Sequence, residues 1–139
     1  MAIPDRVIFD AEPLIAHADD ESGSDVVEEY LDSVAVEDTD GYASCVTFAE
    51  IRYTLARKYD RDTADEYLGW LADLGIEAVD VDDTWLAASE YVLRHNPALG
   101  DSFALATAKD VEGLLLVGGD SDYDEVSDVP IDRFRDESA

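Results

Sequence analysis

Five acidic residues stand where a regular chain would bring them together. Asp10 directly follows the apolar run Arg6-Val7-Ile8-Phe9. Asp120 and Asp122 come just after Leu114-Leu115-Leu116-Val117 and the break at Gly118-Gly119. Asp101 opens the small apolar segment from Phe103 to Ala108. Glu50 lies three residues past Thr47, in the expected first turn of a helix after Tyr42-Ala43-Ser44-Cys45. If the apolar runs are parallel strands, these acids gather outside the strands' C-terminal ends, where α/β sheets place their functional groups. Carboxylates that converge raise one another's pKa values unless cations neutralise them. Ligands that are all oxygen, without His or Cys, favour Mg²⁺ or Mn²⁺. Such a centre suits phosphoryl chemistry, in which the metal activates a water and offsets charge on phosphate oxygens.

Each acid alone also has a structural reading. Glu50 has the spacing of a capping box with Thr47. Asp101 is an ordinary N-cap type, and Asp120 and Asp122 are ordinary turn residues. Asp10 is harder to account for, because an Asp directly after a buried strand core is poorly solvated.

The intervening chain supplies elements that would hold this set. Pro13 suits the first turn of a helix. Ser22-Gly23-Ser24 breaks the chain, and Ser24 or Asp25 is expected to cap a helix with Val26, Val27, Tyr30, Leu31 and Val34 on its apolar face. Asp38 to Gly41 reads as a turn. Ile51 and Leu55 continue the helix of Glu50, and Arg61 onward gives Ala64, Tyr67, Leu68, Leu71 and Leu74 before Gly75 stops it. These two helices read as a hairpin. Ile76 to Val81 alternates as a strand, and Asp82 or Asp83 caps a helix carrying Trp85, Leu86, Ala88, Val92 and Leu93 that Asn96-Pro97 ends. Val129-Pro130-Ile131 suits an edge strand, and Arg135 to Ala139 reads as loose. Strands alternating with helices predict a three-layer α/β/α fold with a mostly parallel central sheet.

The chain has 139 residues, 47% of them apolar, which predicts one packed domain over 1–139 with its core about 5–133. No apolar run is long enough to span a membrane, and Met1 to Arg6 lacks a signal-peptide layout, so a cytoplasmic protein is expected. The single Cys45 excludes an internal disulfide or a cysteine zinc site, and reads as a small buried strand residue. His17 and His95 are too few and too separated for a metal site. The 35 acids against 9 basic residues give a net charge of −26, spread along the chain. Mimicry of nucleic acid is one account. The other is hydration in concentrated salt, where a Debye length of ~3 Å silences self-repulsion. The Asp-rich, Lys-poor composition resembles that of halophile proteins, so the charge does not exclude a nucleic-acid substrate.

Four segments then carry a resemblance. I-F-D-A-E-P-L-I (8–15), V-T-F-A-E-I (46–51), G-D-S-F-A-L-A-T-A (100–108) and V-G-G-D-S-D-Y (117–123) resemble, in order and spacing, the four motifs of PIN-domain ribonucleases. The subgroup most alike is the VapC-type toxins of toxin–antitoxin pairs. The resemblance implies a PIN-like fold and a Mg²⁺-dependent (or Mn²⁺-dependent) endoribonuclease. It implies Asp10 and Asp101 as principal metal ligands, Glu50 and Asp120 as the other catalytic acids, and Asp122 as an auxiliary acid. It further implies an RNA substrate, a cognate antitoxin protein and a homodimer. The chain departs from the pattern twice. Gly118 stands where the family often has Ser or Thr, and Ala11-Glu12 follows the first Asp where a hydroxyl residue is usual, leaving Glu12 as an extra acid at the rim.

Arg52, Arg57, Lys58 and Arg61 place four of the nine basic residues within ten positions. On one continuous helix they would form a basic patch for RNA phosphates, and otherwise they would pair with acids such as Asp60 and Asp62. Trp70 and Trp85 read as core or interface residues. Tyr67, Leu68, Leu71 and Leu74 are candidates for a dimer or partner face. Three other readings stand beside the nuclease. One is a catalytically silent PIN-like module that binds RNA or protein, which four retained acids disfavour. Another is a housekeeping RNA-processing nuclease, which would usually carry an added module. The third is a phosphoacceptor receiver domain, which wants a Lys near its last strand, whereas Lys109 precedes the Leu114–Val117 run.

Overall fold

The computed structural model describes residues 3–135. Residues 136–139 of the tail expected to be loose lie outside that range. Five strands form one sheet: β1 (Arg6–Phe9), β2 (Asp40–Ser44), β3 (Ile76–Val79), β4 (Leu114–Val117) and β5 (Ile131–Arg133). Their order is β3-β2-β1-β4-β5, and every neighbouring pair is parallel. Six helices cover it: α1 (Ala11–Ala18), α2 (Ser24–Ala35), α3 (Cys45–Lys58), α4 (Arg61–Leu74), α5 (Trp85–His95) and α6 (Leu99–Val111). This is the three-layer, parallel arrangement that the alternation of strand and helix predicts, consistent with a PIN-like fold.

The apolar strands explain the layers. A parallel strand covered on both faces must be apolar along its covered length, as β4 is throughout and β1 is from Val7 to Phe9, after the exposed Arg6. Val7 and Phe9 join a buried cluster with Leu14, Val27, Tyr30, Leu31, Ile51, Leu55 and Leu71 from α1 to α4. Ile8, between them, points to the other face, where it meets Leu115, Val117, Tyr91 and the small residues Ala104 to Ala108. The direction of winding reverses between β1 and β4, so their C-terminal ends open a crevice. Ile8 lies opposite Leu115 and Phe9 opposite Leu116, which brings Asp10 level with the end of β4. Asp10 donates its backbone N–H to the Leu116 carbonyl at 3.0 Å.

Several local expectations give way to stronger local chemistry. β2 ends at Ser44, whose hydroxyl accepts the Val46 N–H at 3.1 Å and caps α3. Thr47 is therefore inside the helix and buried, and Glu50 lies in the second turn, not the first. Cys45 begins α3 and is exposed, so the buried strand position expected for it is wrong. Gly23, at φ 87°, occupies the cap position of α2 in place of Ser24 or Asp25. A 3₁₀ turn at Val81–Asp83 puts Thr84, in place of the two acids, ahead of α5. α6 starts at Leu99, so Asp101 is its third residue. β5 lies at the sheet edge as expected but starts at Ile131.

Surface expectations shift too. Leu71 is buried in the core cluster, and Tyr67, Leu68 and Leu74 pack against it while staying partly exposed. The exposed apolar side chains include Trp85, Leu86 and Leu93 on α5 and Leu99 at the start of α6. Trp70 is partly exposed but stacks on His17 at 5.5 Å between ring centroids. His17 also bonds to Tyr67 and Glu28, joining α1, α2 and α4.

Candidate active site

Asp10 is set by two elements at once. It closes β1 and caps α1, with one carboxylate oxygen accepting the Ala11 N–H at 2.8 Å. Its other oxygen accepts the Tyr123 O–H at 2.6 Å, and the residue is only 5% exposed. Tyr123 reaches it from a 3₁₀ turn, Ser121–Tyr123, that follows β4. Asp120 caps that turn by accepting the Asp122 N–H at 2.9 Å. Asp122 in turn accepts the Ala98 N–H at 3.0 Å, which fastens the turn to the start of α6. Asp101 stands on the first turn of α6 close by. One carboxylate oxygen each from Asp101, Asp120 and Asp122 lies within 4.8 Å of the others.

α3 brings Glu50 to the same place from the opposite wall. Its Oε1 is buried and has no hydrogen-bond partner among the described residues. It rests on Gly100, where a Cβ would come within 1.9 Å of that oxygen, so only glycine permits the approach. Asp10, Glu50, Asp101 and Asp120 line one cleft of about 340 Å³, with Glu12, Glu21 and Arg135 on its walls.

Glu12 fills the gap left by the two departures from the family pattern. Its Oε2 accepts the Gly119 N–H at 3.1 Å, and a Cβ at position 118 would lie 1.1 Å from that oxygen. The carboxylate thus occupies the space a Ser or Thr side chain would take at 118. The substitutions at 11–12 and at 118 are sterically one change.

The electrostatics follow from burial. Loss of water raises the Asp10 carboxyl above its ordinary value, partly offset by the bonds from Tyr123 and Ala11. Burial, then the Asp10 charge, raises Glu50. Burial and the Asp10 charge push Asp101 up to about 8. Burial and both flanking carboxylates raise the Tyr123 hydroxyl, which keeps it a donor. Four carboxyls crowded into one cleft, one with an orphaned buried oxygen, are a donor set whose negative charge exceeds the one cation on its wall, Arg135. A divalent cation bound by oxygen fits that excess.

The basic cluster does not join the cleft. α3 ends at Lys58 and α4 begins at Arg61, so no single helix carries all four residues. Arg52, Arg57 and Arg61 line a separate hollow of about 250 Å³ with Tyr53. Arg52 pairs with Asp65 at 2.7 Å and Lys58 with Asp19 at 2.7 Å, while the expected partner Asp60 caps α4 instead. His17 and His95 do not line the cleft. Reasoning from sequence missed Tyr123 and Arg135. A buried tyrosine reads as core, and only its place two residues beyond Ser121 in the fourth motif hinted otherwise.

Comparison with known proteins agrees with this fold. The PIN domain family model matches residues 7–129. The fold is similar to VapBC2 from Rickettsia felis bound to a DNA fragment from its promoter, with a TM-score of 0.75 at 10% identity over 92% of this chain and 98% of that one. It is similar to a toxin–antitoxin complex from Klebsiella pneumoniae, with a TM-score of 0.71 at 15% identity over 94% and 98%. It is also similar to FitAcB from Neisseria gonorrhoeae, with a TM-score of 0.63 at 22% identity over 92% and 97%. No curated protein matches the sequence.

Proposed function

Because the chain belongs to the PIN domain family, we propose that it is a metal-dependent endoribonuclease acting as the toxin of a toxin–antitoxin pair. The observation that carries the chemistry is the cleft in which Asp10, Glu50, Asp101 and Asp120, from four distant segments, meet at the strand ends. Asp10 and Asp101 would hold Mg²⁺ or Mn²⁺, with Glu50 and Asp120 completing the coordination or positioning the attacking water. Asp122 would act as an auxiliary acid. The cation, when bound, lowers the pKa of its water and offsets charge on the phosphate.

The protein's own groups do the rest. Tyr123 and the Ala11 N–H hold the Asp10 carboxylate in one orientation before any ligand arrives. Asp122 ties the turn of Asp120 to α6, which keeps Asp101 and Asp120 at fixed separation. Burial beside Asp10 pushes the Asp101 carboxyl up to about 8, so a cation held there would have to displace a proton at neutral pH.

The toxin reading draws support from the fold's likeness to VapBC and FitAB complexes. It carries with it a cognate antitoxin, a homodimer and a cytoplasmic site of action. Exposed Trp85, Leu86 and Leu93 on α5, with Leu99 at the start of α6, support a covered face there. No helix among the described residues is long and apolar enough to cross a membrane. The Arg52, Arg57 and Arg61 hollow, with Lys58 beside it, is a candidate RNA contact. We further propose that residues 1–139 act as one domain with its core about 5–133.

The test is cleavage of total cellular RNA in molar KCl with Mn²⁺ or Mg²⁺, comparing the wild type with Asp101→Asn. Cleavage that needs metal and drops at least ~100-fold in the variant is expected. A folded, metal-loaded wild type that leaves RNA intact would replace the nuclease by a binding module. Equal cleavage by both proteins would remove Asp101 from the site.

A further inference from the structure

One cation intrudes on the acidic cleft. Among the described residues that line it, Arg135 alone is basic. The chain has only nine Lys and Arg, so a guanidinium among these carboxylates is not a matter of abundance.

The fold fixes Arg135 from several sides. The preceding residue, Phe134, donates its N–H to the Val117 carbonyl at 3.0 Å, which extends the pairing with β4. Its ring is buried at 3% exposure. The segment lies so close to Gly23 that a Cβ there would meet the Phe134 ring at 2.8 Å and the Phe134 carbonyl oxygen at 2.9 Å. Gly23 has a φ of 87°, so glycine serves both the turn and the approach. The guanidinium lies over the Phe134 ring at 4.7 Å. Its Nη1 donates to Glu21 at 3.0 Å and to the Ser22 carbonyl at 3.1 Å. Nε and Nη2 donate to no other described residue. A flexible side chain is thereby ordered beforehand, with one edge of its fork open.

We propose that Arg135 is a substrate-contacting residue that binds a backbone phosphate of the nucleic acid beside the four acids. The inference rests on the nuclease reading and adds to it a specificity for polyanions that the acids cannot supply. A guanidinium fork binds phosphate oxygens in two-pronged fashion. Glu21 and the Ser22 carbonyl hold Nη1 in place, which leaves Nε and Nη2 for the phosphate oxygens.

The experiment measures binding of a labelled single-stranded RNA across a KCl series, in the Asp101→Asn background so that nothing is cut. Arg135→Gln is compared with Glu21→Gln, which breaks the same ion pair but keeps the cation. Circular dichroism at each salt confirms folding. Arg135→Gln is expected to weaken binding about 10-fold and to lower the slope of log Kd against log salt by about 0.7, the loss of one phosphate contact. Glu21→Gln is expected to bind as tightly as the parent or tighter, with an unchanged slope. Equal weakening by both variants would mean that the ion pair merely braces the fold, and overturn the proposal. Unchanged binding by Arg135→Gln would overturn it too, with the nuclease reading left standing. A folded parent that binds no RNA, beside a wild type that cuts none, would sink both.

Discussion

At the residue scale, the cleft is a place where the protein works against its own charge. Asp10, Glu50 and Asp101 all have carboxyls raised by burial. A carboxyl raised in the folded state binds protons the unfolded chain has already lost. Its effect on stability is therefore absent below the unfolded value of about 4 and grows more adverse as pH rises toward the folded value. For Asp101 that window runs from about 4 to about 8. In EDTA at constant KCl, Asp101→Asn should melt above the wild type at pH 8 by about 3 °C or more, and match it near pH 4. Excess Mg²⁺ should raise the wild type and reverse the order. A wild type that matches the variant throughout in EDTA would mean that Asp101 carries no such penalty. Asp10 illustrates why the sequence is legible here, since an Asp capping a buried strand has few bland explanations. Tyr123, which orients it, gives no such signal.

At the scale of elements, α3 shows what a sequence withholds. Ser44 and Thr47 are both hydroxyl residues, and the spacing of Thr47 to Glu50 favours the second as cap. The strand decides otherwise. β2 leaves Ser44 extended at ψ 148°, the geometry a cap requires, and the helix starts three residues early. Thr47 is then buried, its hydroxyl without a hydrogen-bond partner among the described residues. The two should respond oppositely to loss of oxygen. Ser44→Ala should cost about 1 kcal/mol in urea unfolding. Thr47→Val, which replaces an unsatisfied group by an apolar one of the same shape, should be neutral or stabilising by about 1 kcal/mol. Destabilisation by both would show that Thr47 has a partner. Strand and helix types were legible because β4 and the last three residues of β1, Val7 to Phe9, are unbroken apolar runs. Cap positions were not, because neighbouring Ser, Thr and Asp compete and the tertiary fold selects one. Arg135 shows the same limit, since a polar, charged tail reads as loose until Phe134 is seen buried behind it.

At the scale of the molecule, 35 acids face 9 basic residues, and the five Lys and Arg ion pairs among the described residues are a small counterweight. Surface pairs contribute about 0–1 kcal/mol each and weaken in salt. The self-repulsion that salt removes is the larger effect, because the like charges outnumber the opposite ones almost fourfold. The Tm should rise by about 10 °C or more from low salt to molar KCl and level off as the Debye length nears ~3 Å. A Tm that is flat or falls with KCl would leave the charge to another purpose, with mimicry of nucleic acid next in line.

The sheet order has a consequence for timing. Asp10 and Glu50 emerge early in synthesis, but Asp101 stands late and Asp120 later still, and β4 must slide in beside β1 before they meet. A ribosome adding about 5–20 residues per second therefore carries, for most of its transit, a chain with only half its acids in place. On the nuclease reading proposed above, a protein with this topology would gain its cleft only once β4 has docked. The central strand precedes its decisive neighbour by about a hundred residues, so on that reading the growing polypeptide would stay inert until the two strands pair.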